Sequence, residues 1–80
     1  MEIWPNPGSG HFTLRIPYFV DGNAKVEVMD LSGRCIKRDA ESIGGIIDLP
    51  LENLGLKPGV YAIRVEIAGK SYLAKAILQP

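Results

Sequence analysis

Apolar side chains recur at every second position along much of this chain. Phe12, Leu14 and Ile16 alternate with His11, Thr13 and Arg15; Ala24, Val26 and Val28 alternate with Lys25, Glu27 and Met29; Tyr61, Ile63, Val65 and Ile67 alternate with Ala62, Arg64 and Glu66. Successive side chains of a pleated strand point to opposite faces, so each run predicts a strand with one face buried and the other wet. Such runs predict about seven short strands, near residues 2–4, 11–16, 24–30, 34–39, 45–49, 60–67 and 70–78.

Turn residues separate the runs. Asp21-Gly22-Asn23 and Leu31-Ser32-Gly33 each supply a residue able to adopt positive φ, and both are expected to close hairpins between the strands on either side. Ala68-Gly69 leaves a two-residue connection between the last two strands, and Gly44-Gly45 breaks the chain before Ile46-Ile47-Asp48-Leu49. The segment from Leu49 to Leu54 is expected to make one helical turn at most, because Pro50 and its short length work against a longer helix. A single flat sheet would leave an apolar face in water, so the expected fold is all-β: a sandwich of about seven short antiparallel strands in two sheets.

Composition narrows the function. Eighty residues make one domain, 1–80, with a small core and marginal stability. The only cysteine, Cys35, cannot form an intramolecular disulfide and is expected to be a small, partly buried strand residue. Nine basic and nine acidic side chains, without a run of either sign, argue against nucleic acid as a partner. No apolar run approaches the roughly 20 residues of a membrane span, so no transmembrane segment is expected. A monomer is expected, with dimerisation through open strand edges as the alternative.

No constellation of residues points to catalysis or to a bound cofactor or metal. Pro5-Asn6-Pro7-Gly8-Ser9-Gly10 lacks the Lys-Ser or Lys-Thr of a phosphate-binding loop; its prolines restrict it to pairing at an edge, and Gly10 lets the chain swing into the next strand. His11 is the sole histidine, with no second imidazole for a metal and no acid placed by sequence to orient it toward Ser9. Asp21, Asp30 and Asp48 fall at strand ends, where carboxylates commonly accept bonds from nearby amides. Trp4, Tyr18 and Phe19 are candidates for a sugar-stacking platform, though such rings usually cap the ends of a small core. A carbohydrate-binding or spacer module of a secreted enzyme is therefore the alternative reading. Arg64, Lys70 and Lys75 fall on the last two strands, where Lys75 interrupts a β-prone tail that would otherwise be an aggregation hazard.

The closing hairpin, Pro58 to Pro80, leaves almost nothing after its last strand. With the segments before it, it resembles a type A C-terminal sorting domain of the type IX secretion system. The resemblance runs in order along nearly the whole chain: Trp4-Pro5-Asn6-Pro7 with Gly10 and Phe12-Thr13-Leu14, then Val26-Glu27-Val28-Met29-Asp30 with Gly33-Arg34, then Leu54 with Pro58-Gly59-Val60-Tyr61, and finally Gly69-Lys70 with Lys75. Departures are Trp4 where tyrosine is more usual, Cys35 where an aliphatic residue is typical, and the Gln79-Pro80 ending.

The resemblance implies an immunoglobulin-like sandwich that ends a larger secreted protein of a Gram-negative bacterium. Its implied partners are the cargo domain on its N-terminal side, the outer-membrane translocon and a sortase-like peptidase that cuts ahead of the domain, often in exchange for an anionic lipopolysaccharide. Its implied route is the periplasm, then the cell surface or the medium, and it is no enzyme. Pro5, Asn6, Pro7, Gly10, Gly33, Arg34, Gly59, Tyr61, Gly69, Lys70 and Lys75 are the implied sorting-motif residues. Ala76, Ile77 and Leu78 are the expected terminal recognition strand, open to strand addition or to capture of the chain end.

Overall fold

A computed structural model describes residues 1–80. Seven strands follow one another, β1 (Glu2–Trp4), β2 (His11–Arg15), β3 (Gly22–Met29), β4 (Cys35–Ile43), β5 (Ile46–Pro50), β6 (Gly59–Ile67) and β7 (Lys70–Leu78), with a single 3-10 turn at Glu52–Leu54 between β5 and β6. All pair antiparallel in the order β1-β2-β5-β4-β3-β6-β7. No helix is long and apolar enough to cross a membrane.

The expected all-β architecture is present, and its two halves are joined at a corner. β4 and β5 pair only at Ser42–Ile47 and Ile43–Ile46. Beyond those pairs the β1-β2-β5 half diverges from the β4-β3-β6-β7 half, and the inward side chains of both fill the space between them. The alternating residues are those buried: Phe12, Leu14 and Ile16 meet Ala24, Val26, Val28, Tyr61, Ile63, Val65 and Ile67, completed by Ile47, Leu49, Leu51, Ala76 and Leu78. Burying one face of every strand is what stabilises so small a fold.

Asp21-Gly22-Asn23 does not close a hairpin. β2 lies between β1 and β5, and β3 between β4 and β6, so the chain crosses from one half to the other between Ile16 and Gly22. The crossing is tied to the β4–β5 turn: Ile16 donates to the Gly45 carbonyl at 3.0 Å, Gly45 to Val20 at 3.1 Å and Gly44 to the Asp21 carboxylate at 2.6 Å. Ser42, fully buried, adds a hydroxyl bond to the Val20 carbonyl at 2.7 Å. A side chain at Gly45 would stand 2.2 Å from the Tyr18 carbonyl, which requires glycine there. The Asp-Gly pair marks a bend, and nothing local in it specifies which strand lies alongside.

Two further expectations are corrected. The fourth strand runs on to Ile43, because Ala40 and Ser42 continue its inward row beyond Asp39. Cys35 is exposed, not partly buried, since it shares the outward row of β4 with Lys37 and Asp39.

Candidate functional site

The register gathers most of the motif residues at one end of the sandwich. There β3 turns into β4, β5 ends opposite the start of β2, and β6 begins where β7 finishes, with Met29 opposite Cys35, His11 opposite Pro50 and Gly59 opposite Leu78. Met1 lies at the other end, because Glu2 pairs with Arg15 at the far end of β2.

Asp30 builds the β3–β4 loop. Its carboxylate oxygen accepts bonds from the Ser32 amide at 2.9 Å, the Ser32 hydroxyl at 2.8 Å and the Arg34 amide at 2.9 Å. Gly33 completes the turn at φ 92°, in the left-handed region that favours glycine. The Ser32 hydroxyl bond, reinforced by the Arg34 and Ser32 amides, holds the Asp30 carboxyl below its ordinary value. Arg34 thus leaves the loop in a fixed direction, beside an open groove of about 520 Å³ floored by Val28, Ile36 and Leu54.

Tyr61 lies at the same end, near the start of β6. Its ring is buried and its hydroxyl donates to the Lys57 carbonyl, four residues upstream, so it pins the Lys57-Pro58-Gly59 approach to β6. That is the bond of the tyrosine corner found in immunoglobulin-like sandwiches.

The proline-rich segment is bonded to the last strand. The Asn6 side chain donates to the Lys75 carbonyl at 2.9 Å and accepts from the Ile77 amide at 2.8 Å. Gly8 continues the pairing, donating to the Ile77 carbonyl at 2.9 Å and accepting from the Gln79 amide at 2.8 Å. Asn6 imitates a strand residue where Pro5 and Pro7 have no amide to offer. The expectation of an open backbone edge at Ala76 to Leu78 is therefore corrected: from the Lys75 carbonyl to the Gln79 amide the outer edge of β7 is occupied. Gly8 was not singled out from sequence, yet a side chain there would meet the Pro5 carbonyl at 2.6 Å and the Phe12 ring at 2.8 Å. Gly10 anchors the same corner through its carbonyl, 2.7 Å from the Leu51 amide.

Gly69 and Lys70 lie at the opposite end, in the β6–β7 turn, where the Lys70 amine stands 4.6 Å over the Tyr18 ring. Trp4 instead carries Arg15 at 5.9 Å and takes no part in the groove that Tyr18 lines with Val20, Ile67 and Tyr72. Phe19 is 98% exposed and caps no core. Two of the three rings that suggest a sugar platform are thus already faced by cations, and Trp4 does not share the Tyr18 groove.

His11 does acquire acids, which its sequence neighbours did not reveal. Nε2 stands 2.5 Å from Asp48 and Nδ1 3.3 Å from Glu52, and the bond to Asp48, aided by both negative charges, raises its pKa. The carboxylates sit on opposite nitrogens of one ring and do not converge, and no cluster of three His, Cys, Asp or Glu side chains is placed to hold a metal ion. The Cys35 thiol is held above its ordinary value by partial desolvation and by Glu27 at 3.6 Å, which is the opposite of an activated nucleophile.

The fold is an all-β module whose motif loops and proline-rich segment are fixed by hydrogen bonds. The sequence matches the family model of the secretion system C-terminal sorting domain over residues 2–79, and the chain belongs to that family. Members are the C-terminal sorting signals of type IX secretion cargo, a sorting family and not a catalytic one, and they imply export to the cell surface or beyond. No curated protein matches the chain significantly.

Proposed function

We propose that residues 1–80 are a single sorting domain at the carboxyl end of a larger cargo protein, presenting its motif end to the outer-membrane translocon. The observation that carries this reading is the polarity of the fold. Pro5, Asn6, Pro7, Gly10, Gly33, Arg34, Gly59, Tyr61, Lys75 and the Ala76-Ile77-Leu78 strand meet at the end away from Met1, the side from which cargo would enter. A cargo domain there would leave the motif end unobstructed. Cargo would cross the periplasm with the domain attached, and a sortase-like peptidase would then cut on the N-terminal side of the domain, in some cargos exchanging it for an anionic lipopolysaccharide.

The test is export. A periplasmic reporter carrying these residues at its carboxyl end is expected at the surface or in the medium of a type IX-competent Gram-negative host, and without them it is expected to stay in the periplasm. Equal retention of both reporters would sink the reading.

A further inference from the structure

The outer face of the β4-β3-β6-β7 half is divided along its length. In its middle and toward Gly69 the outward positions are charged and face opposite charges: Glu27 stands across from Lys37 and Arg64, and Lys25 across from Asp39 and Glu66. Arg64 completes this lattice, 3.0 Å from Glu27, 3.7 Å from Glu66 and 3.3 Å from the Ser71 hydroxyl. Toward the motif end the outward positions become apolar. Val60 stands across from Ile77, Leu31 at the tip of the β3–β4 loop is 89% exposed, and Leu73, 66% exposed, stands across from Arg64 where the charged lattice gives way to this apolar stretch. Leu31, Val60 and Leu73 line one open groove of about 440 Å³ with Lys75 at its rim, and Lys57 shares the adjoining rim with Leu31 and Val60. Neither lysine forms an ion pair. The one nearby carboxylate, Asp30, is engaged with its own loop.

Large aliphatic side chains gathered on the outside of a sheet mark a surface that another molecule covers. Strand addition is the competing mode of recognition, and over residues 75–79 the edge it needs is already taken by Asn6 and Gly8. Along that stretch of β7 a partner meets side chains and not free backbone; the edge left without a strand partner at this end is that of β4, which pairs with β5 only at Ser42 and Ile43. We infer that the export machinery docks face-on against Leu31, Val60, Leu73 and Ile77, through a protein surface that is apolar at its centre and acidic opposite Lys57 and Lys75. The inference rests on the sorting reading and specifies the surface that reading uses. Apolar centre and charged rim divide the work in the usual way, the first supplying buried area and the second partner choice and encounter rate.

Reporter fusions test it, with the fold of each isolated variant checked by circular dichroism. Leu31→Asp with Leu73→Glu, and separately Lys75→Glu, are expected to lower export at least about tenfold, the factor that about 1.4 kcal/mol of lost contact gives. Lys37→Glu, on the charged half of the same face, is expected to stay within about twofold of the unsubstituted fusion, a difference of about 0.4 kcal/mol. Lys75→Glu changes only an exposed charge, so a folding defect in the apolar double variant leaves the question answerable. Export of both patch variants at the unsubstituted level would overturn the docking surface while leaving the sorting reading intact. Failure of the unsubstituted fusion to be exported would overturn both. If sedimentation showed a dimer that Leu73→Glu dispersed while export continued, the face would be a self-interface and the inference would fall.

Discussion

At the scale of single residues, backbone conformation decides more than side-chain chemistry. Ala68 and Gly69 form the two-residue β6–β7 turn with φ values of 53° and 76°, the left-handed pair that the twist of a hairpin prefers. Gly69 adopts it freely, whereas Ala68 pays about 1 kcal/mol for the approach of its Cβ to the following carbonyl. Asparagine tolerates that region better, so Ala68→Asn is expected to raise stability by about 0.5–1 kcal/mol, measured as a higher urea midpoint at an unchanged slope. A lower midpoint would mean that the alanine methyl contributes something the turn geometry does not account for. Gly8 and Gly45 make the reverse point, because carbonyls and a ring occupy the space where their side chains would go.

Between elements, His11 joins three pieces of chain: β2, through its own backbone; β5, through Asp48; and the 3-10 turn, through Glu52. Its pKa is raised in the folded state, so protonated His11 stabilises the fold. That contribution is fully present below the unfolded value of about 6.5 and is lost as pH rises through the folded value. Thermal melts across about pH 5.5 to 8.5 are expected to show the advantage of the parent over His11→Gln shrinking as pH rises. A constant difference would assign His11 no role beyond packing. The acids themselves were hidden in the sequence, because Asp48 and Glu52 reach the ring only through the β2–β5 register, which no local pattern encodes. The same limit explains the rest of the comparison. Alternation located the core rows of β2, β3 and β6, since period two is a local property of a half-buried strand. Asp21-Gly22-Asn23 has the sequence of a hairpin without being one, because a bend is local and strand adjacency is not. The ordered motif positions are visible along the chain, but the gathering of most of them at one end, with Gly69 and Lys70 at the other, follows from the strand pairing.

Over the whole molecule, the two ends of the chain hold each other. β1 and β7 are the outermost strands of the sheet order, and Asn6 to Gly8 bridge toward β7 with sequence separations of 69 and 71 at the Asn6 bonds. The seven-strand sheet is thereby nearly closed, and an edge that would otherwise template aggregation is covered along its last residues. The closure combines two bonds from the Asn6 side chain with two from the Gly8 backbone, since the flanking prolines cannot donate. Asn6→Ala removes a donor and an acceptor together and is expected to cost about 1–2 kcal/mol, the sum of two ordinary hydrogen bonds in a half-wet site. Asn6→Asp keeps the acceptor for the Ile77 amide but loses the donor to Lys75, so its cost is expected to fall between that of alanine and none. Native-state hydrogen exchange separates a local from a global effect. If the segment is a seal, the Ile77 and Gln79 amides exchange faster in Asn6→Ala by more than the loss in global stability explains, while core amides such as Val65 change only in step with it. Equal acceleration at all of these amides would make Asn6 an ordinary contributor to the fold, and the cover of the β7 edge would then rest on the Gly8 backbone and on Lys75.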